Sequence, residues 1–365
     1  MLEEKYGFNK MTKKTFVVDF VKSLALGAVF LSPMIAGLIA IIRWAGTDGF
    51  LFWVLVFLGA FQILLQLLYP TVIQPFFNKL TPLPVGPLRS RVYSLASSLR
   101  FPLAHIYQID GSKRSAHSNA YFFGLFPWGN KHIVIFDTLI AKNSCSEIEA
   151  VLAHELGHWK HGDPLKLFLI AQFQIGLTFA VFAGFIDNVS LFQSFGFDTS
   201  DYLPIIIGLE LFQLVLSPTD ALLKFLSNSA VRYMEFAADA FAAKIDRPAF
   251  TESELSELSE LHNQAKSPLE DDIARGDSGK GEAAPAKMTS QKKLDLELSQ
   301  TQEPYDALLA KALIKLHVQN LSSMHYDSLY SAYHHSHPTL PERLAALEKL
   351  SAGRGEQAGA KGKTA

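Results

Sequence analysis

The sequence predicts an all-α, multi-pass membrane protein whose soluble central segment carries a small β-hairpin. Three observations predict it. Hydrophobic residues make up 49% of the 365, with 28 Phe among them; four long stretches are almost free of charge; and the charged residues alternate with those stretches. Length alone would suggest two soluble domains, but a mean hydropathy of +0.16 places the chain among proteins that meet lipid.

The chain opens with the charged, polar run Met1 to Lys14, not with a short basic region and an apolar core, so no cleavable secretory signal is expected and the first span serves as the anchor. The expected spans are Ser23 to Ile42, Phe50 to Tyr69, Pro164 to Ile186, and Leu203 to about Leu226. The first two carry no acid or base. The fourth is interrupted by Glu210, Pro218, Asp220 and Lys224. Residues 1–70 thus form an N-terminal membrane region with two helices, and residues 164–226 supply two more. Lys79, Arg89, Arg91, Arg100, Lys113, Arg114, Lys131, Lys142 and Lys160 lie between the second and third spans, whereas residues 187–202 hold no Lys or Arg. The bias of basic residues toward the cytosol puts the central segment there.

That segment, residues 71–163, reads as soluble. Thr81 to Pro87 is a Pro-rich linker, Leu88 to Leu99 a short helix and Ile106 to Asp110 a short strand. Asn119 to Phe126 and His132 to Phe136 are β-rich runs joined by Pro127, Trp128, Gly129 and Asn130, which is turn chemistry. Basic residues are dispersed and the net charge is −2, so nothing points to nucleic acid as a partner. A single cysteine, Cys145, excludes an internal disulfide framework.

Residues 154–158 read His-Glu-Leu-Gly-His. On a helix of 3.6 residues per turn His154 and His158 project side by side and can share one Zn²⁺, while Glu155 can reach a water bound to it. The surrounding residues favour a helix: Ser144 with Glu147, or Ser146 with Glu149, can form a capping box, and Gly162, Asp163 and Pro164 end the element. His161 shares the face but lies about 10 Å along the axis from His154, too far for one tetrahedral ion. It reads as a helix-end residue near the C-terminal dipole.

A third ligand is offered by the Ala-rich helix of residues 227–247, where Arg232, Glu235 and Asp239 follow one another at helical spacing. Glu235 can complete a His₂Glu set and Asp239 can orient one imidazole, although an exposed Glu and Asp four apart also suit a solvated face. Arg232 is grouped with Asp239 as a supporting residue. Residues 248–303, rich in Glu, Ser, Lys and Gly, read as a disordered insertion in which Leu255, Leu258 and Leu261 allow one short amphipathic helix. Residues 304–350 form a C-terminal helical part, and residues 351–365 a disordered tail. His334, His335 and His337 stand before Pro338 and suit either a solvated loop or a second metal cluster.

The chain resembles the CAAX prenyl protease 1 family, the type I CaaX prenyl endopeptidases, which are multi-pass membrane zinc metalloproteases. The resemblance rests on residues 6–10 (YGFNK), 77–84 (FNKLTPLP), 117–124 (HSNAYFFG), 151–163 around the zinc motif, 235–239 (EFAAD) and 333–338 (YHHSHP). It implies a zincin-like catalytic domain with His154, His158 and Glu235 on one Zn²⁺, Glu155 as general base, and Asn119 and His337 lining the substrate cleft. It further implies farnesylated CaaX proteins as substrates, losing their C-terminal tripeptide, and a place in the endoplasmic reticulum or inner nuclear membrane with the catalytic side toward cytosol or nucleoplasm. The lipid bilayer is the other partner; the oligomeric state is not indicated. Seven helices around a water-filled chamber are expected of the family; Glu210 and Gln174 suit its lining more than hydrogen bonds between helices, while Gln62, Gln66, Gln172 and Gln213 suit either. Only four spans are evident, so the resemblance also implies missing upstream helices. Two other readings stay open: an inactive truncated membrane scaffold, and a membrane zincin acting in protein quality control on unprenylated substrates.

Overall fold

Long apolar helices carry one half of the molecule and a mixed α/β unit the other. A computed structural model describes residues 2–124, 129–185, 188–197, 205–258, 260, 296 and 299–361. Helix α1 (Leu2–Lys5) precedes α2 (Lys13–Leu68), which Thr12 caps through its side chain. Gly46, at φ 65°, breaks α2 into two spans that double back on each other. A left-handed residue is easiest for Gly, so the reversal needs no longer loop. Gly37 provides the contact between the two arms, since a Cβ there would meet the Phe57 ring at 2.7 Å.

Among the described residues four helices are long and apolar enough to cross a membrane: Lys13–Gly46, Gly49–Phe77, Asp163–Ala183 and Ile206–Lys244. Only 6% of the most apolar window of each of the first three is buried, so their faces are left for lipid. Where the spans do meet, Phe50, Val54, Phe182, Phe212 and Leu216 form a small aromatic core. Gln62 and Gln172 hydrogen-bond across the second and third spans, and Gln174 donates to the Leu223 carbonyl at 3.4 Å. These three glutamines make the helix-to-helix hydrogen bonds that are one of the two roles open to them from sequence. Glu210 is exposed.

After the second span come α3 (Gln74–Phe77), β1 (Leu80–Pro82), α4 (Pro87–Ser98), β2 (Leu103–Ile109), β3 (Ala120–Phe123), β4 (Lys131–Phe136) and α5 (Asp137–Lys142). The predicted hairpin exists as β3 antiparallel to β4, but it is half of a four-stranded sheet in the order β1-β2-β4-β3. Strand β2 joins it in parallel, with Ile106 opposite Ile133, and Leu80 to Pro82, read as linker, pair with Tyr107 to Ile109. Strand β3 occupies one edge.

Helix α6 (Cys145–His161) starts at the capping box of Ser144 with Glu147, the first of the two expected. It is followed by α7 (Asp163–Ala183), α8 (Val189–Ser194), α9 (Ile205–Lys244), α10 (Tyr305–Gln319), α11 (Ser328–His334) and α12 (Leu340–Lys361). Ile148, Leu152, Ala153 and Leu156 of α6 lie at the centre of a core that takes in Ile133 and Ile135 of the sheet, Val92 and Leu95 of α4, and Leu308 and Leu309 of α10. Helix α12 runs on to Lys361, past the Leu350 at which the helical part was expected to end.

Most of the 248–303 insertion lies outside the described residues, but its two ends do not behave as solvated chain. Arg91 donates to the Pro248 and Ala249 carbonyls and lies over the Phe250 ring at 4.0 Å; Arg247 donates to the Gln300, Thr301 and Glu303 carbonyls. Residues 252–258 are helical with Leu258 buried and Leu255 exposed, and Leu261 of the expected amphipathic turn lies outside the described residues.

Candidate metal centre

The site is built where α6 crosses α9. Gly157 allows the crossing, because a Cβ there would stand 3.0 Å from the Ala238 Cα, a backbone contact with no room to give. At that separation Glu235 reaches the histidine face. His154 Nε2 and His158 Nε2 are 3.3 Å apart, and the two Glu235 carboxylate oxygens lie 3.5 Å and 3.4 Å from them. One ligand atom from each of the three residues falls within 4.8 Å of the others, and among the described residues this is the one such group. His334, His335 and His337 therefore form no second cluster. His334 stacks on Tyr330 and His335 meets Tyr326 edge-on.

The outer nitrogens decide how the imidazoles present themselves. His154 Nδ1 lies 2.8 Å from Asp239, and His158 Nδ1 lies 2.9 Å from Asp163. Each carboxylate holds a proton on Nδ1, so Nε2 is the nitrogen that each ring turns to the shared point. Asp239 is held by both arms of Arg343, at 2.6 and 2.8 Å, and Asp163 by Lys166 at 2.9 Å. Arg343 also approaches Glu235, at 3.6 Å. Asp239 occupies its expected place beside His154. Asp163 and Arg343 were not foreseen: the first was read only as part of the helix stop, and the second lies more than a hundred residues further along the chain with nothing local to mark it.

The remaining expected residues fall in different positions. His337 stands 3.1 Å from Glu235 through Nδ1 with its side chain 66% exposed, so it marks the open side of the cluster. Arg232 touches none of the three; it donates to the His337 carbonyl and Ser331 and pairs with Glu342 at 2.7 Å, which pins the His337 loop. Asn119 is exposed at the head of edge strand β3, its Oδ1 accepting from the Ala120 amide, and no hydrogen bond among the described residues joins it to the cluster. His161 ends α6 with its ring against Phe241 at 5.7 Å, away from the pair.

Electrostatics follow from this packing. Burial works against a charged His154, but Asp239 and then Glu235 outweigh it and lift its pKa to about 9. For His158 the same opposition, burial against Glu235 and Asp163, also ends in a raised value. Burial pushes the half-buried Glu155 carboxyl above the ordinary carboxylate range, against the pull of the two imidazoles. A carboxylate so shifted accepts a proton more readily near neutral pH.

The pattern of peptidase family M48 matches residues 82–351, and that of the CAAX prenyl protease N-terminal region, described by five membrane helices, matches residues 1–79. The chain is 37% identical over 363 residues to CAAX prenyl protease 1 of Saccharomyces cerevisiae, covering 96% of this chain and 67% of that protein. It is 33% identical over 388 residues to the CAAX prenyl protease 1 homolog of Homo sapiens, covering 96% and 68%. The crystal structure of S. mikatae Ste24p superposes with a TM-score of 0.73 at 37% identity, covering 95% of this chain and 69% of that one. The chain thus spans about two thirds of the length of these relatives. With both patterns matched in sequence and the solved fold shared, the chain belongs to peptidase family M48 and, within it, to the CAAX prenyl protease 1 family of multi-pass membrane metalloendopeptidases.

Proposed function

We propose that this chain removes the C-terminal tripeptide of farnesylated CaaX proteins, with one Zn²⁺ on His154, His158 and Glu235 and with Glu155 as general base. The observation that carries the reading is the convergence of two Nε2 atoms and one carboxylate on a single point, one residue from Glu155. The donor set fits zinc: two imidazoles and a carboxylate, each imidazole backed by a carboxylate, leave a fourth position for water or substrate. Bound there, zinc supplies Lewis acidity, lowering the pKa of a water and polarising a peptide carbonyl.

The chain's own residues do the rest. Glu155 takes the proton from the attacking water and passes it to the leaving amine. His337, with Nδ1 toward Glu235, keeps its other ring nitrogen to donate to the developing oxyanion. Strand β3 is paired with β4 on one side only, so its free edge accepts an extended peptide as an added strand, with Asn119 at its head holding the substrate backbone. The four spans keep the site at the bilayer, into which a farnesyl chain partitions. The basic residues of the central segment support a catalytic side toward cytosol or nucleoplasm, and the family membership supports the endoplasmic reticulum or inner nuclear membrane as its place.

The test uses purified protein with zinc and matched farnesylated and unprenylated CaaX peptides. Release of the tripeptide from the farnesylated peptide alone is expected; equal rates on both peptides sink the prenyl-specific reading in favour of a general membrane zincin. Protease protection of a tag placed near residue 280 in sealed microsomes would overturn the orientation.

A further inference from the structure

Away from the metal cluster, a cavity of about 840 Å³ opens where the two arms of α2 come together again. Its wall takes in Lys10, Thr12, Lys79, Asp110, Lys113 and Arg114, with the Phe77 ring among the apolar residues. Because α2 reverses at Gly46, the Lys13 end of the first span and the Phe77 end of the second emerge on the same membrane side. The cavity therefore sits at a membrane face, bounded by two spans and the end of the sheet.

Its charges do not balance. Four cations face one carboxylate. Arg114 is answered by Asp19 at 2.8 Å from outside the wall and by Asn78 at 2.9 Å. Asp110 is already engaged, accepting from Lys113 Nζ at 2.5 Å and from the Lys79 backbone amide at 2.7 Å. Lys10 and Lys79 are exposed, and neither ammonium has an ion pair among the described residues. The positive end of α2 adds to the excess, for Thr12 caps it, no acid stands in its first turn, and Lys13 and Lys14 are there instead. Acids are the residues that a helix N-terminus favours, and lysines there raise a potential that an anion would relieve. Phe16, next in sequence to the lining residue Thr15, stacks on Phe20 along α2, the two 60% and 55% exposed, and Phe76, between the lining residues Pro75 and Phe77, is 51% exposed.

We propose that this cavity binds the phosphate headgroup of an anionic phospholipid, with Lys10 and Lys79 as the principal cations and the acyl chains lying along Phe16 and Phe20. The chemistry that recognises the headgroup would also take a free phosphate; the membrane-end position and the apolar rim select the lipid.

The experiment titrates the purified protein in neutral detergent with short-chain phosphatidic acid, short-chain phosphatidylcholine and inorganic phosphate, following binding by calorimetry. Phosphatidic acid is expected to bind more tightly than either of the others. A Lys10→Gln/Lys79→Gln variant should bind it about 30-fold more weakly, at the usual contribution of a basic residue near an anionic surface. A Lys311→Gln/Lys349→Gln variant, altered at two remote surface lysines, should match the parent. Both replaced cavity lysines are exposed, so circular dichroism and peptidase activity should stay those of the parent. Three results overturn the proposal: no preference over phosphatidylcholine, unchanged affinity in the cavity variant, or inorganic phosphate binding as tightly as the lipid, which would make free phosphate the ligand.

Discussion

Near the start of α6, Glu149 is enclosed by Arg91, Arg247 and Tyr305; further along the same helix, His154 and His158 face Glu235, with Asp239, Asp163 and Arg343 behind them. Both clusters are buried and charged, yet they are organised oppositely. In the first, every donor finds a protein acceptor: Arg91 reaches Glu149 at 2.6 Å, Arg247 at 2.9 Å and the Tyr305 hydroxyl at 2.8 Å, and neither Arg91 nor Glu149 is exposed at all. In the second, the outer imidazole nitrogens are held by Asp239 and Asp163, while the inner ones converge with the Glu235 carboxylate on one point. Two imidazoles and a carboxylate so disposed are a donor set that suits a divalent cation. The contrast separates a cluster closed on itself from one whose inner atoms are those proposed to hold the metal.

The largest effect should come from the open cluster. Glu155→Gln keeps the shape and the three proposed ligands but removes the base, so peptide hydrolysis should fall by about 10²- to 10⁴-fold while zinc content, read by elemental analysis, stays at one per chain. Activity that survives the change would take Glu155 out of the reaction.

The closed cluster should answer in stability instead. Glu149→Gln removes the carboxylate that Arg91 and Arg247 share, leaving Arg91 with Glu254 at 3.8 Å, and breaking a buried pair in this way costs about 3–5 kcal/mol. Thermal unfolding in detergent should show it as a large drop in midpoint, with zinc still bound at one per chain in the folded fraction. If the variant kept the parent's midpoint and lost zinc instead, the division between the two clusters would fail.

What could be read beforehand follows the range of each interaction. His154, Glu155 and His158 are legible because helical spacing is local. Glu235 and Asp239 were found by the pattern of their own helix together with family resemblance. Asp163 reads in sequence only as part of a helix stop. It reaches back to His158 because Gly162, at φ 68°, turns the chain at the end of α6. Arg343 and the Arg91–Glu149–Arg247 cluster join residues that lie 104, 58 and 98 positions apart, and no local period announces such pairs. For the same reason the polar composition of residues 248–303 hid the anchoring of its ends. Alternation in β3 and β4 gave the hairpin, but the short β1 and the parallel pairing of β2 depend on tertiary contacts.

A smaller effect is expected from the supports of the open cluster. Asp163→Asn weakens the hold on the His158 tautomer without touching the three proposed ligands, and losses of about 10- to 100-fold in metal affinity are usual for such partners. Competition with a zinc chelator should measure it, and an affinity equal to the parent's would deprive Asp163 of that role.

Tyr305 allows the finest test of the closed cluster. Burial, then the adjacent Glu149 carboxylate, push its hydroxyl well above the ordinary tyrosine value of 10.0. The folded protein therefore holds Tyr305 neutral at a pH where the unfolded chain ionises it. The stabilisation is fully present below about pH 10 and is lost as pH rises from there toward the folded value, at up to about 1.4 kcal/mol per pH unit. Tyr305→Phe gives up the hydrogen bond to Glu149, so at neutral pH it should be less stable by about 1.5–3 kcal/mol, the range for bonds to charged groups. Above about pH 10 the gap should narrow, because only the parent pays for that ionisation. Parallel stability curves across that range would mean that the Tyr305 hydroxyl is not held neutral by Glu149, and that the cluster is more open to water than its burial indicates.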